Sequence, residues 1–344
     1  MSHQMAIGRR PLLRAAGLGT AAAILGRGGR AGAQAPSAGA VVNIVNTRGT
    51  ATSTMEELMR RRGHLGEMGL KPNAVYVADA SKLIGSLISG ESDICIFSGV
   101  ATVLTAIDKG AKIRLLSGSM MGLEHAIYAR NPAIRSVRDL EGKTLGSGST
   151  GALLHVMWAA ILRKYGVDER KVRFVNIGGA PDVFRAVAAG VVDAGIAEID
   201  VYDQQDKYGV HVLAEGDLWK ELPDFIFQGA YASETALQTK REVLKRTLAA
   251  YAKLFRFVAG PDSEQDFVDA QRVVTGNNAD ERNARWQWRF FRENGVFATD
   301  LALAEPKLRY MQELNVSLGV QRRTMPLDEI TDRSLAREAV ALLA

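Results

Sequence analysis

From residue 41 onward, short apolar runs alternate with segments in which apolar residues recur at helical spacing. Residues 41–45 are β-branched and apolar, as expected for a strand that is buried on both faces. A small polar run follows, and residues 55–62 then show a helical pattern, with acidic residues first and arginines last. We expect a residue at 52–54 to cap this helix and Gly63 to end it. The first unit is therefore predicted to be a strand, a polar turn and a helix.

The same alternation continues to about residue 230. Further strands are predicted at 74–77, 93–97, 113–117, 143–146, 172–177 and 193–197. Helices are predicted at 81–89, 100–109, 153–165 and 181–189. Strands that alternate with helices in this way are typical of βαβ units, and they predict an α/β fold with mostly parallel sheets. After about residue 230 the pattern is helical, with helices predicted at 239–258, 263–274, 280–292, 302–314 and 331–342, which form a C-terminal tail packed on the rest.

An internal repeat divides the strand-rich part into two similar halves. Residues 87–96 align with 187–196 at an offset of 100, and both copies place a glycine at a helix end and an aspartate three residues later. The first strand and its polar turn align with residues 143–151 at nearly the same offset. The alternative interpretation is the coincidental likeness that any α/β protein shows between its units. Because three successive elements agree, we favour two lobes of one design.

Charge separates the first 40 residues from the rest. The chain of 344 residues has 43 Lys and Arg against 38 Asp and Glu, a formal charge of +5. Residues 1–40 contain five arginines and no acidic residue, so the remaining chain carries equal numbers of basic and acidic side chains. The excess charge therefore does not indicate a nucleic-acid partner for the folded part. The single cysteine, Cys95, excludes an intramolecular disulfide and multi-cysteine metal sites.

The basic segment has the features of an export signal. The apolar run at 15–25 is too short to span a membrane but has the length of a signal core. Residues 9–14, which begin with two arginines, resemble a twin-arginine signal. We expect a signal peptide of residues 1–33, cleaved after Ala33 or alternatively after Ala40, and a periplasmic location. The alternative is a basic tail that binds nucleic acid, which would not need the apolar run.

Ligands of open α/β sheets bind beyond the carboxyl ends of the strands, often at helix N-termini. Applied to both lobes, this rule predicts a cleft lined by glycine backbone, hydroxyl groups and a few charged side chains, with no obvious nucleophile. Arg48 would suit a carboxylate or sulfonate, and Glu198 an amine or amino-pyrimidine. Each residue could instead have only a structural role as a cap, a turn or an ion-pair partner. The predicted ligand-binding residues are Asn46, Thr47, Arg48, Ser98, Gly99, Ser117, Ser147, Gly148, Ser149, Thr150, Gly151, Gly178, Gly179 and Glu198.

Two segments carry a resemblance to a known family. Residues 134–146 fit the pattern I-x-S-x-x-D-L-x-G-K-x followed by an apolar and a small residue, and residues 189–194 fit x-G-x-x-D-A. In these segments and in the order of elements from about 41 to 340, the chain resembles periplasmic solute-binding proteins of ABC importers, in the group that binds nitrate, sulfonates, taurine and thiamine-pyrimidine precursors. The resemblance implies a type II-like two-lobed fold, with lobe one at 41–128 plus 229–344 and lobe two at 129–228. It also implies hinge strands near 127–129 and 227–229.

The resulting expectation is a periplasmic protein that captures a small polar organic solute between its lobes and delivers it to an inner-membrane ABC permease. The solute would be sulfonate-, carboxylate- or pyrimidine-like. We expect no catalysis, no cofactor, no metal and no nucleic acid, and a monomer. The alternatives are an exported enzyme on the same fold and a binding protein of a tripartite ATP-independent importer.

Overall fold

The computed structural model describes residues 39–77, 80–276 and 280–344. The predicted signal peptide lies outside these residues. In the described ranges, no helix combines the length and the hydrophobicity that crossing a membrane requires.

The described residues form ten strands, most of them within two or three residues of the predicted ones. The strands are β1 (Ala40–Thr47), β2 (Leu70–Val77), β3 (Cys95–Gly99), β4 (Ile113–Gly118), β5 (His125–Ala129), β6 (Thr144–Ser147), β7 (Arg173–Asn176), β8 (Ala194–Glu198), β9 (His211–Asp217) and β10 (Gln228–Ser233). Strands β5, β9 and β10 were not predicted from the pattern.

Helices follow most strands and make up the C-terminal part. They are α1 (Thr50–Arg62), α2 (His64–Glu67), α3 (Ala80–Ser89), α4 (Val100–Asp108), α5 (Leu153–Lys164), α6 (Ala180–Ala188), α7 (Gln205–Tyr208), α8 (Leu218–Glu221), α9 (Glu234–Thr239), α10 (Arg241–Ala259), α11 (Glu264–Thr275), α12 (Glu281–Glu293), α13 (Glu305–Ser317), α14 (Leu327–Ile330) and α15 (Arg333–Ala341). Gly63 ends α1 in the left-handed conformation, as predicted, but α1 begins at Thr50, with Gly49 as N-cap, instead of at 52–54.

The strands form two groups with the same order. One group is β2-β1 joined through a parallel bridge between Ile44 and Ile94 to β3-β10-β4, and the other is β7-β6-β8-β5-β9. In each group four strands share one direction and one strand, β10 or β5, runs against its neighbours. The predicted α/β class with mostly parallel sheets is therefore confirmed, and the two groups match strand for strand.

The two opposed strands are the ones that follow each passage of the chain between the groups. The chain leaves the first group after β4 and enters the second with β5, and it returns after α8 with β10. Residues 127–129, for which the resemblance implies a hinge strand, lie within β5 and are paired with β8, and the hinge itself stays a prediction. The connecting segments are residues 119–124 and 222–227. The predicted lobe limits themselves stay a prediction.

The repeated aspartate has the same structural role in both groups. The carboxylate of Asp93 accepts a hydrogen bond from the backbone N–H of Asn43 at 2.9 Å, and that of Asp193 accepts one from Thr144 N–H at 2.7 Å. In return, the backbone N–H of Asp93 donates to the carbonyl of Asn43, and that of Asp193 donates to the carbonyl of Thr144, both at 2.8 Å. Each aspartate thus joins β1 or β6 to the segment that enters β3 or β8, which is the physical basis of the repeat seen in the sequence.

The two groups differ where a helix approaches the sheet. In the second group Gly146 and Gly195 are paired neighbours on β6 and β8. A Cβ atom on Gly195 would lie 2.5 Å from Val183 and 2.7 Å from Val187 of α6, so only glycine permits this approach. At the corresponding positions of the first group, Asn46 and Cys95 are in contact, with 4.0 Å between Cys95 Sγ and Asn46 Oδ1.

The C-terminal helices pack on both groups. Helices α10 and α15 lie against each other, and α15 contacts β4. Helix α12 contacts the 3₁₀ turn Ile199–Gln204 that follows β8, where Trp286 stacks on Tyr202 with ring centres 5.1 Å apart. Trp288, Phe290 and Phe291 are buried. The predicted helical tail is therefore confirmed, and it joins the two groups.

Candidate functional site

The carboxyl ends of strands from both groups come together around α1, α4 and α5. Gly99 ends β3 and is the N-cap of α4. A Cβ atom on Gly99 would lie 4.0 Å from Leu153 Cδ1 of α5, in the other group. Gly49 lies between β1 and α1, and a Cβ atom added to it would be 3.4 Å from Glu198 Oε1 at the end of β8. The edge predicted to hold the ligand is therefore a contact region between the two groups.

Asn46 and Thr47 are bonded within the first group. The buried Asn46 amide accepts from the backbone N–H groups of Ile96 and Phe97, at 2.9 and 2.8 Å, and donates to Glu56 at 3.0 Å. The Thr47 hydroxyl donates to the Phe97 carbonyl at 2.9 Å. The structure thus assigns both side chains to fastening β1 to β3, and their predicted ligand contacts stay a prediction.

The glycine- and serine-rich turn of the second group lies next to a second glycine turn. A Cβ atom on Gly148 would lie 3.4 Å from the Gly178 carbonyl, and Asn176 Nδ2 donates to Ser149 Oγ at 3.2 Å. Gly151 has a positive φ of 79° and its N–H donates to His155 Nδ1 at 3.3 Å. Ser149, Thr150, Gly178 and Gly179 are exposed, and Gly179 is the N-cap of α6.

Several buried hydroxyl groups at the strand ends have no hydrogen-bond partner among the described residues. They belong to Ser117 at the end of β4, Ser119 in the connecting segment and Ser147 at the end of β6. The hydroxyl of Ser98, also buried, lies beside that of Tyr231. Because buried polar groups are ordinarily paired, these serines are suited to bonding a molecule that enters the region.

Glu198 and Asp200 contact the N-terminus of α1 from the other group. The backbone N–H of Thr50 donates to the Glu198 carboxylate, and the Thr50 hydroxyl lies 3.5 Å from Asp200 Oδ2. A helix N-terminus favours a negative group because of its unpaired N–H groups and the helix dipole. Glu198, supplied by the protein, therefore takes the position at which a bound anion would be stabilised.

Glu124 completes a group of three carboxyls, Glu124, Glu198 and Asp200, which we call the carboxyl cluster. Burial raises the pKa of Glu124 well above its usual range, and the nearby charges of Glu198 and Asp200 raise it further. Burial, and then the charge of Asp200, raise the pKa of Glu198 to about 8, and burial also raises that of Asp200. Among the described residues, no lysine or arginine forms an ion pair with any of the three.

The C-terminal helix α12 and the strand β5 border the carboxyl cluster. Gln287 Nε2 donates to Glu124 Oε2 at 3.4 Å, and Asn283 donates to the Asp200 carbonyl. His125, next to Glu124, is 2% exposed, and burial lowers its pKa to about 3, so its imidazole is neutral at physiological pH. Its ring meets Phe227 edge to face at 4.9 Å.

A groove of about 630 Å³ opens beside the cluster, between α6 and residues 197–208. Phe184, Val201 and Tyr208 give it an apolar wall, and Glu198 and Asp200 line it as well. The size is that of a small-molecule site. Of the predicted ligand-binding residues, Glu198 alone lines this groove.

Sequence reasoning missed Thr50, Glu124, His125 and Asp200. Asp200 follows Glu198 by two positions, Glu124 ends the connecting segment 119–124, and His125 begins β5, so only the fold brings them together. Arg48, a predicted anion ligand, is exposed and forms no ion pair with the cluster. In the described ranges there is no set of three or more His, Cys, Asp or Glu side chains arranged to hold a metal ion.

Comparison with known proteins identifies a family and a fold. The family model described as "NMT1/THI5 like" matches residues 58–262. Among proteins with curated descriptions, none matches the sequence significantly.

Solved structures with 11–17% identity share the fold over most of both chains. A putative periplasmic sulfonate-binding protein SsuA from Methylobacillus flagellatus KT is 17% identical at a TM-score of 0.67, over 90% of this chain and 96% of that chain. The alkanesulfonate-binding protein SsuA from Xanthomonas axonopodis pv. citri, bound to MOPS, is 16% identical at 0.70, over 87% and 100%. The periplasmic nitrate-binding protein NrtA from Synechocystis PCC 6803 is 11% identical at 0.70, over 89% of each.

Proposed function

This chain belongs to the NMT1/THI5-like family, and on that premise we propose that it is the solute-binding component of an ABC importer. It would capture a small polar organic solute between its two strand groups and deliver the solute to an inner-membrane permease. The fold shared with sulfonate- and nitrate-binding proteins supports this role. We further propose export to the periplasm, removal of the basic leader, and action as a monomer without chemistry on the solute.

One observation carries the proposal. Strand ends from two topologically equivalent groups meet, and the buried hydroxyls of Ser117, Ser119 and Ser147 have no hydrogen-bond partner there within the described part of the chain. A solute held between the groups would bond these hydroxyls and would stabilise the closed arrangement in proportion to its contacts with both sides. Closure would in turn present both groups to the permease.

The direct test is to identify what the protein holds. The protein is purified without added ligand, its mass is measured under native conditions, and the released solute is returned to the stripped protein in a calorimeter. We expect binding of one solute molecule per chain and its unchanged recovery. Conversion of the solute would contradict a transport role and favour an exported enzyme, and a protein that binds no solute would contradict the proposal.

Replacement of Ser147 or Ser117 by alanine is expected to affect stability and binding in opposite ways. The free protein should keep or gain stability, because a buried hydroxyl without a partner is costly. Affinity for the released solute should fall about fivefold for each lost bond of about 1 kcal/mol. Thermal unfolding and calorimetry measure the two effects.

Ser233→Ala is the matched control for this pair. The Ser233 hydroxyl accepts from Ala236 N–H at 3.2 Å and caps α9, away from the predicted ligand-binding residues. Its loss should cost about 1 kcal/mol of stability and leave affinity unchanged. If Ser147→Ala and Ser117→Ala both leave affinity unchanged, neither serine contacts the solute.

A further inference from the structure

The N-terminus of α1 is already occupied by a carboxylate of the protein. Thr50 N–H donates to Glu198, and Gly49 leaves room for that carboxylate, since a Cβ atom there would lie 3.4 Å from Glu198 Oε1. A solute with an anionic head would compete with Glu198 for the same N–H groups and would lie beside Asp200. This arrangement of carboxyls therefore opposes an anion at this position.

The carboxyl cluster has acceptor oxygens but few donors. Glu124 is 3% exposed and has one side-chain bond of 3.4 Å, from Gln287. Asp200 Oδ2 has the contact of 3.5 Å with the Thr50 hydroxyl. Among the described residues no cation is paired with the cluster. Three carboxyls brought together without a counter-charge favour a partner that brings positive charge or N–H donors.

His125 independently indicates a ligand at the same place. It is directly opposite Glu198 in the antiparallel pair of β5 and β8, so the two side chains project from the same face of the sheet, with Cβ atoms about 5 Å apart. His125 is 2% exposed, and its Nδ1 has no hydrogen-bond partner among the described residues. A buried ring nitrogen without a partner, beside the cluster, is a group that an incoming ligand can satisfy.

We propose that the solute carries a cationic nitrogen group rich in N–H donors, an amine or a guanidine, which Glu198 binds together with Glu124, Asp200 and His125. The inference rests on the proposed function and narrows it, because it sets this site apart from those of the sulfonate- and nitrate-binding proteins that share the fold. The raised pKa values of the three carboxyls agree with it, since a cationic group would stabilise their ionised forms. The apolar side of the groove, with Phe184 and Tyr208, suits an attached hydrocarbon or aromatic body.

The test uses probes with the same carbon body and different heads. Phenethylamine is compared with 2-phenylethanesulfonate, and butylamine with butanesulfonate, by thermal shift and calorimetry on the stripped full chain at pH 7. We expect at least one amino probe to bind at least ten times more tightly than its partner. The pair that responds distinguishes an aromatic body from an aliphatic one.

Two variants connect the selectivity to the cluster. Glu198→Gln should weaken binding of the preferred amino probe at least tenfold, while Glu91→Gln, on an exposed turn at the far end of β3, should leave it unchanged. Asp200→Asn provides a second variant, and circular dichroism checks that each protein is folded.

Each outcome is decisive. If a sulfonate binds as tightly as its amine, or if Glu198→Gln leaves amine binding unchanged, the inference is wrong and the proposed solute-binding function stands. If no probe of either kind binds and no solute is released from the purified protein, the proposed function fails as well.

Discussion

Gly195→Val is expected to prevent the second strand group from folding normally. The valine Cβ would begin 2.5 Å from Val183 and 2.7 Å from Val187, two side chains of α6 that are fully buried. Neither can move away without opening the contact between α6 and the sheet, and a Cβ atom on Gly146 of the paired strand would itself lie 3.0 Å from Val183. Overpacking of a buried site typically costs about 1–3 kcal/mol, and the branched valine should be at or above the upper end. The free energy of unfolding in urea measures the loss.

Gly85→Ala is the control for this substitution. Gly85 lies in α3, is exposed, and has nothing within 4 Å of an added Cβ atom. Alanine there should stabilise the helix by up to about 1 kcal/mol. A Gly195→Val protein as stable as the original would contradict the close approach of α6 to the sheet.

Stability is expected to fall as pH rises from 7 to 9. The pKa of Glu198 is raised to about 8 and that of Glu124 well above its usual range, so the folded protein keeps protons that the unfolded chain has already lost. Unfolding then releases protons, and each step up in pH favours the unfolded state. The buried histidines His64, His125 and His155 have lowered pKa values and act in the opposite sense only below about pH 6.5, outside this window. The expected loss is on the order of 2 kcal/mol.

Urea unfolding at several pH values measures how the free energy of unfolding changes with pH, and Glu198→Gln shows how much of that change comes from Glu198. The amide is neutral throughout, so the variant should lose less stability than the original protein between pH 7 and 9. Burial raises the pKa of Glu56 to about 7, although hydrogen bonds from Tyr251 and Asn46 lower it in part. Glu56→Gln should therefore act mainly at the lower end of the window. A slope of zero in the original protein would show that the three carboxyls of the cluster are ionised and solvated.

Most elements of the fold could be predicted because their patterns are local. The glycine at the end of α1 and the alternation of strands and helices define elements without knowledge of the rest of the chain. Strand β5 could not be found this way. His125–Ala129 is a short run whose pairing with β8 and β9 depends on residues about 70 to 90 positions away. The same applies to β10, which lies between β3 and β4.

The rule about strand ends led to part of the candidate site but not to its carboxyl cluster. The rule about strand ends located Ser98, Ser147 and Glu198 at the ends of their strands. It also selected Asn46, whose amide bonds the buried Glu56 and the N–H groups of β3 within the protein. The carboxyl cluster draws on residues 124, 198 and 200, and it faces Thr50 and α12. No local pattern connects these segments.

The paired aspartates, Asp93 and Asp193, lie at the amino ends of the strands, whereas the candidate ligand contacts lie at the carboxyl ends. The two aspartates and the residues proposed to choose a solute are therefore on opposite edges of the sheets. Substitutions at one edge can alter selectivity while the bonds at the other edge stay intact. An arrangement of this kind lets one scaffold acquire new specificities by mutation without first losing its stability, which makes this chain a favourable starting point for redesigning solute recognition.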